Sequence, residues 1–170
     1  MPPKGFQSSG PSTSKNINSL APYVRTMPVV IDAMLKLANV TSEDVVYDLG
    51  CGDGRIVLAA AAQYGASGVG IDIDPECIKT ARDRAKSSGL QQLVTFKQQD
   101  LLTVNLSAAT VVTLYLLPES NLKLKDKLRS QLNPGTRILS HSFHMGDWPP
   151  DAISEASDAI NTYPVYLWRV

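Results

Sequence analysis

The chain has 170 residues, with 16 Lys+Arg against 16 Asp+Glu and 44% hydrophobic residues. That length supports one domain with a full core, and the composition excludes a disordered chain. A formal net charge of zero removes the strong electrostatic pull toward nucleic acid or an anionic membrane, so a nucleic-acid partner is not expected.

Residues 1–20 are rich in Ser, Pro and Gly, contain no acid and hold Lys4 and Lys15 as cations. They read as a disordered tail before a single domain over 21–170. A mitochondrial transit segment is the alternative, because such peptides are Ser-rich and acid-poor. Cys51 and Cys77 are too few for a disulfide framework, which points to a reducing compartment, the cytoplasm first. No apolar run approaches the roughly 18 residues of a membrane span. No Cys/His/Asp cluster has zinc spacing, so no metal is expected.

Thr26 is placed to cap a helix over 28–39, with Pro28 in its first turn and Val29, Val30, Ala33, Met34 and Leu37 at helical spacing. Strands and helices then alternate. The pattern predicts strands at 45–49, 68–73, 94–96, 109–116 and 137–143. It predicts helices at 55–64, 75–87 and from Pro118 to about 132. In the last helix Leu122, Leu124, Leu128 and Leu132 are expected inward. Residues 152–160 read as a strand or short helix, and 164–170 as a strand. The alternation implies βαβ units and a mostly parallel sheet.

The run from Val45 to Arg55 is the strongest local signal. A buried strand ends in Asp48, and Gly50, Gly52 and Gly54 follow at every second position before a helix. Glycines let the backbone adopt positive φ and approach a ligand, and the helix start offers free N–H groups. A dinucleotide fingerprint needs its third glycine at position 55, where this chain has Arg55. The form D-x-G-x-G-x-G instead resembles the first motif of class I S-adenosylmethionine (SAM) methyltransferases.

The strand ends supply the rest. Asp72 lies 20 residues past Gly52, where an acid takes ribose hydroxyls. Asp74 is the expected cap of the helix at Pro75, which leaves Asp72 without a local task. Asp100 is a candidate acceptor for an adenine amine, with Ile73 or Leu101 packed on the ring. Asp48 is a candidate for the cationic amine of a methionine moiety. Cys51 reads as a small residue of the loop and not as a nucleophile.

These residues are similar to those of class I SAM-dependent methyltransferases over most of 23–148. The motifs are Tyr47-Asp48-Leu49-Gly50-Cys51-Gly52-Asp53-Gly54-Arg55, Gly70-Ile71-Asp72-Ile73-Asp74 and Gln99-Asp100-Leu101. Tyr23-Val24-x-Thr26, the Asp-Gly-Arg, Val111 to Pro118, Pro134-Gly135-Thr136-Arg137 and Asp147-Trp148 resemble a narrower family. It includes the lysine methyltransferases that act on the c-ring protein of ATP synthase and on the adenine nucleotide translocase. The chain has Arg25 and Met27 where that family commonly has prolines.

The resemblance implies a Rossmann-like sheet with helices on both faces and a short antiparallel C-terminal hairpin. It implies SAM as cofactor, bound by Asp48, Gly50, Cys51, Gly52, Gly54, Asp72, Ile73, Asp100 and Leu101, and a protein lysine as acceptor. A small-molecule acceptor, or SAM binding without catalysis, is the alternative. Tyr115 and Glu119, after the fourth strand, are candidates to line the acceptor pocket. Leu116-Leu117-Pro118 lacks the amide or carboxylate that enzymes acting on base amines carry there. His141 and His144 flank Phe143 and are candidate bases, with satisfied structural histidines the commoner case. Trp148 is a candidate roof for the acceptor site. The sequence leaves the oligomeric state open.

Overall fold

The computed structural model describes residues 25–170. The expected tail and the Tyr23-Val24 pair lie outside the described residues. Among the described residues, four helices, α1 (Pro28–Leu37), α2 (Arg55–Tyr64), α3 (Pro75–Ser87) and α4 (Pro118–Gln131), pack on one seven-stranded sheet. Its strands are β1 (Val45–Leu49), β2 (Ser67–Asp72), β3 (Val94–Gln98), β4 (Val111–Leu114), β5 (Arg137–His141), β6 (Ala152–Ser157) and β7 (Thr162–Arg169).

The spatial order is β3-β2-β1-β4-β5-β7-β6. The first five strands are parallel and β7 enters antiparallel between β5 and β6. This is the Rossmann-like sheet with an antiparallel carboxyl hairpin that the family resemblance implies. The stretch 152–160, open between strand and helix on sequence alone, contains the strand β6. The order reverses between β1 and β4, and ligands of such sheets bind outside the strand ends at that switch.

Two apolar layers cover the sheet. Val46, Val111, Leu139 and Val165 face α1, α2 and α3, while Leu49, Val112, Leu114 and Ile138 face α4. β4 is buried at all four positions, as a central parallel strand covered on both faces should be. Gly68 lets α2 come close, because a Cβ there would stand 2.8 Å from Val57 Cβ.

Three local expectations are corrected. Met27, not Thr26, is the cap position of α1, and no side chain caps it; Thr26 is buried and its carbonyl accepts Arg55 Nη1 at 3.1 Å. The buried face of α1 is Val30, Ile31, Met34 and Leu35, which leaves Val29, Ala33 and Leu37 at its margins. On α4, Leu122 is 49% exposed while Asn121 is fully buried. Asn121 Nδ2 reaches the carbonyls of Phe143 and His144 at 3.4 and 3.3 Å. The helix turns this amide inward to tie down the loop after β5.

Candidate active site

The three strand-end acids lie along one edge of the sheet, as a parallel arrangement requires. Asp48 is fourth in β1 and Asp72 ends β2. Asp100 follows β3 by two residues. Between them runs the glycine loop. Gly50, Gly52 and Gly54 have φ of 85, 54 and 81°. The N–H groups of Gly50 and Cys51 both donate to Ile71 O, at 2.8 and 2.9 Å.

Asp72 has a local task that the sequence hides. Its Oδ2 accepts Gly52 N–H at 2.9 Å and its Oδ1 accepts Asp74 N–H at 3.0 Å. Asp74 caps α3 through Glu76 N–H at 2.9 Å, as expected. A carboxylate oxygen accepts more than one hydrogen bond, so Asp72 can hold the loop and still take ribose hydroxyls.

Asp48 is 3% exposed. The Thr113 hydroxyl donates to its Oδ1 at 2.8 Å across the β1–β4 pair. Burial, with the charges of Asp72 and Asp53, outweighs that bond and pushes its carboxyl up to about 7. Among the described residues no lysine or arginine forms an ion pair with it. A buried carboxylate in that state fits a ligand cation, and the cationic amine of SAM is one.

Asp53, to which the sequence assigns no role, anchors the loop. Arg55 grips both its oxygens, at 3.0 and 2.8 Å, and Arg84 of α3 adds an ion pair at 2.8 Å. Burial would raise this carboxyl, but the two guanidiniums hold it below the ordinary value.

The other candidates divide by burial. Ile73 is half-buried beside Asp72, while Leu101 is buried with Leu49 and Ile71 in the core under the loop. Asp100 Oδ1 accepts Leu102 N–H at 2.9 Å and shapes the turn after β3. Cys51 is buried, and its sulfur stands 2.9 Å from where a Gly70 Cβ would lie. Burial pushes its thiol far up, which keeps it protonated. A Cβ on Gly54 would lie 2.6 Å from Phe96 Cζ and 3.0 Å from Ala81 Cβ. The space beside Gly54 therefore belongs to the core.

The edge continues past β4 and β5 into a cluster of rings. Tyr115 is half-buried and stacks on His141, with centroids 3.8 Å apart and planes 27° apart. Phe143 stacks on Tyr115 at 6.2 Å and Tyr163 meets His141 edge-on at 5.6 Å. Glu119 is exposed in the first turn of α4, outside this cluster. His144 is exposed, and its Nδ1 accepts Gly146 N–H at 3.0 Å. Trp148 does not roof the site. It packs on Trp168 at 6.2 Å and under Arg129 of the last turn of α4, toward the other end of the sheet.

A sheet of this order, a glycine loop after β1 and acids at three strand ends define a class I SAM-dependent methyltransferase. A model of the ANTKMT methyltransferase domain matches residues 48–152, and the chain belongs to that family.

The protein-lysine N-methyltransferase of Saccharolobus islandicus (strain REY15A) is 39% identical over 150 residues, 88% of this chain and 93% of that protein. The adenine nucleotide translocase lysine N-methyltransferase of Mus musculus is 33% identical over 146 residues. There the match covers 85% of this chain but 63% of the relative. The crystal structure of an RNA methyltransferase from Salinibacter ruber, in complex with S-adenosyl-L-homocysteine, has a TM-score of 0.81 and 52% identity. It covers 86% of this chain and 94% of that one.

Proposed function

We propose that this protein is a protein-lysine N-methyltransferase. The observation that carries this reading is the 39% identity to the Saccharolobus islandicus protein-lysine enzyme across 93% of its length. When bound, SAM supplies a methyl on a cationic sulfur; the amine lone pair forms the N–C bond as the C–S electron pair returns to sulfur.

The chain's part is alignment and exclusion of water. Asp48 pairs with the amine of the methionyl end, Asp72 takes the ribose hydroxyls and Asp100 the adenine amine, with Ile73 against the ring. The loop backbone from Gly50 to Gly54 lies under the cofactor. A lysine amine, with an unperturbed pKa of about 10.4, must arrive neutral. Apolar surroundings lower that value, and Tyr115 with the rings around it supplies them. The methylated ammonium then gives its extra proton to water.

An RNA acceptor is the second reading, favoured by the name of the Salinibacter ruber protein. Against it stand the zero net charge and the segment Leu116-Leu117-Pro118, which offers no group to grip a base amine. Incubating the protein with methyl-labelled SAM and a lysate separates the two. Label that resists nuclease and is released by protease supports the lysine reading, whereas nuclease-sensitive label in RNA overturns it.

A further inference from the structure

We propose that His141 belongs to the methyl-acceptor site, where its imidazole holds the incoming lysine amine by a hydrogen bond beside the rings of Tyr115 and Tyr163. The inference rests on the lysine reading above and names the side chain that orients the acceptor.

His141 is 2% exposed, and neither Nδ1 nor Nε2 has a hydrogen-bond partner. A neutral imidazole has one N–H to donate and one nitrogen to accept. Leaving a buried polar atom unpaired costs free energy, and buried histidines are normally satisfied. A ligand N–H that reaches the accepting nitrogen offsets part of that cost.

The position is right for an acceptor. Leu114 of β4 pairs with Ser140 of β5, so Tyr115 and His141 are the next facing pair, at the switch-point edge. Tyr115 follows by two residues Thr113, which binds Asp48, so it shares a face with that bond. The backbone works to hold this cluster. Ser142 has φ 66°, and Phe143 N–H bonds back to His141 O at 2.9 Å, a strained three-residue turn. That turn folds Phe143 over the same tyrosine that His141 stacks on.

Burial pushes the imidazole down to about 4, so it is neutral at pH 7. It does not remove a proton from an ammonium. It accepts an N–H of the neutral amine and so fixes the direction of the lone pair.

Two variants test this. His141→Phe keeps a planar ring for the stack and removes both nitrogens; His141→Gln keeps a donor and an acceptor. Both should bind S-adenosyl-L-homocysteine like wild type by calorimetry, which also shows that they fold. Methylation of lysines in a nuclease-treated lysate should fall roughly 100-fold in His141→Phe, with His141→Gln between. The chain has two histidines, so ring-nitrogen NMR resolves them. Added n-butylamine should move the His141 signals of the protein saturated with S-adenosyl-L-homocysteine and leave His144 in place. Wild-type lysine labelling by His141→Phe, or unmoved His141 signals, overturns the inference and leaves the lysine reading standing. Transfer by wild type to an acceptor other than lysine overturns both.

Discussion

The Asp72 carboxylate accepts the Gly52 N–H at 2.9 Å, so the end of β2 sets the shape of the loop that follows β1. Asp72→Asn puts an NH2 group against one of the two backbone N–H groups it now serves. Stability should fall by about 1–3 kcal/mol, and affinity for S-adenosyl-L-homocysteine should fall more than tenfold if the residue that holds the loop also takes the ribose hydroxyls as proposed. Thermal unfolding and calorimetry measure the two. A variant with intact binding would remove Asp72 from the cofactor site.

The proposed pairing of Asp48 with the cofactor amine should make cofactor binding depend on pH. Its folded pKa of about 7 lies above the ordinary value of 3.8. The folded apoprotein therefore binds the proton more tightly than the unfolded chain does. The stability this group contributes is fully present below about pH 4 and is lost as pH rises through 7. Ligand affinity runs the other way, since only ionised Asp48 attracts a cation. The ligand's α-amine loses its charge above roughly pH 8, so affinity should peak between the two values. Titrations across the range from weakly acidic to weakly basic should show this peak in wild type, and Asp48→Asn should flatten its acid limb. An unchanged acid limb in the variant would show that Asp48 does not titrate at the site.

Gly54 tests the packing of the loop. Alanine there meets Phe96 at 2.6 Å and must keep φ at 81°. The two penalties together should cost roughly 2–4 kcal/mol. Phe96→Leu makes room, so the double variant should lose less than the sum of the single losses in chemical denaturation. Strict additivity would mean that the contact is not the cause.

Arg137 offers a control at the opposite edge of the sheet. It pairs with Asp44 and donates to Ala38 O. Arg137→Met should lower stability by about 2 kcal/mol by taking the cation from a buried carboxylate that keeps its bonds from Thr41 N–H and the Thr110 hydroxyl, while S-adenosyl-L-homocysteine affinity stays within about twofold at room temperature. A large loss of affinity would show that the site responds to general loosening of the fold.

The alternation of strands and helices and the placing of acids at three strand ends were legible because they rest on local rules. A glycine every second residue, an acid at a strand end and an apolar run each leave a mark within a few positions. What stayed hidden depends on pairing between distant segments. Thr113 is one more β-branched residue in an apolar strand until β4 is laid beside β1. Asn121 reads as a polar surface residue until the loop after β5 arrives to be tied down, and Leu122 is displaced outward as a result. The second role of Asp72 needs the loop of residues 50–54 folded against it. His141 draws notice as a histidine near a strand end, but its unpaired nitrogens exist only once Tyr115 and Tyr163 close around it.

Methyl transfer from SAM to a protein lysine is tested most directly by identifying the methylated residue. Lysate protein labelled by the enzyme with methyl-labelled SAM is hydrolysed to amino acids and resolved by mass spectrometry beside a reaction run with Asp48→Ala. Wild type should yield labelled N-methyl-lysine, and the variant should lose nearly all of it. Label recovered as a methylated nucleoside, or as a methylated amino acid other than lysine, would contradict the lysine reading.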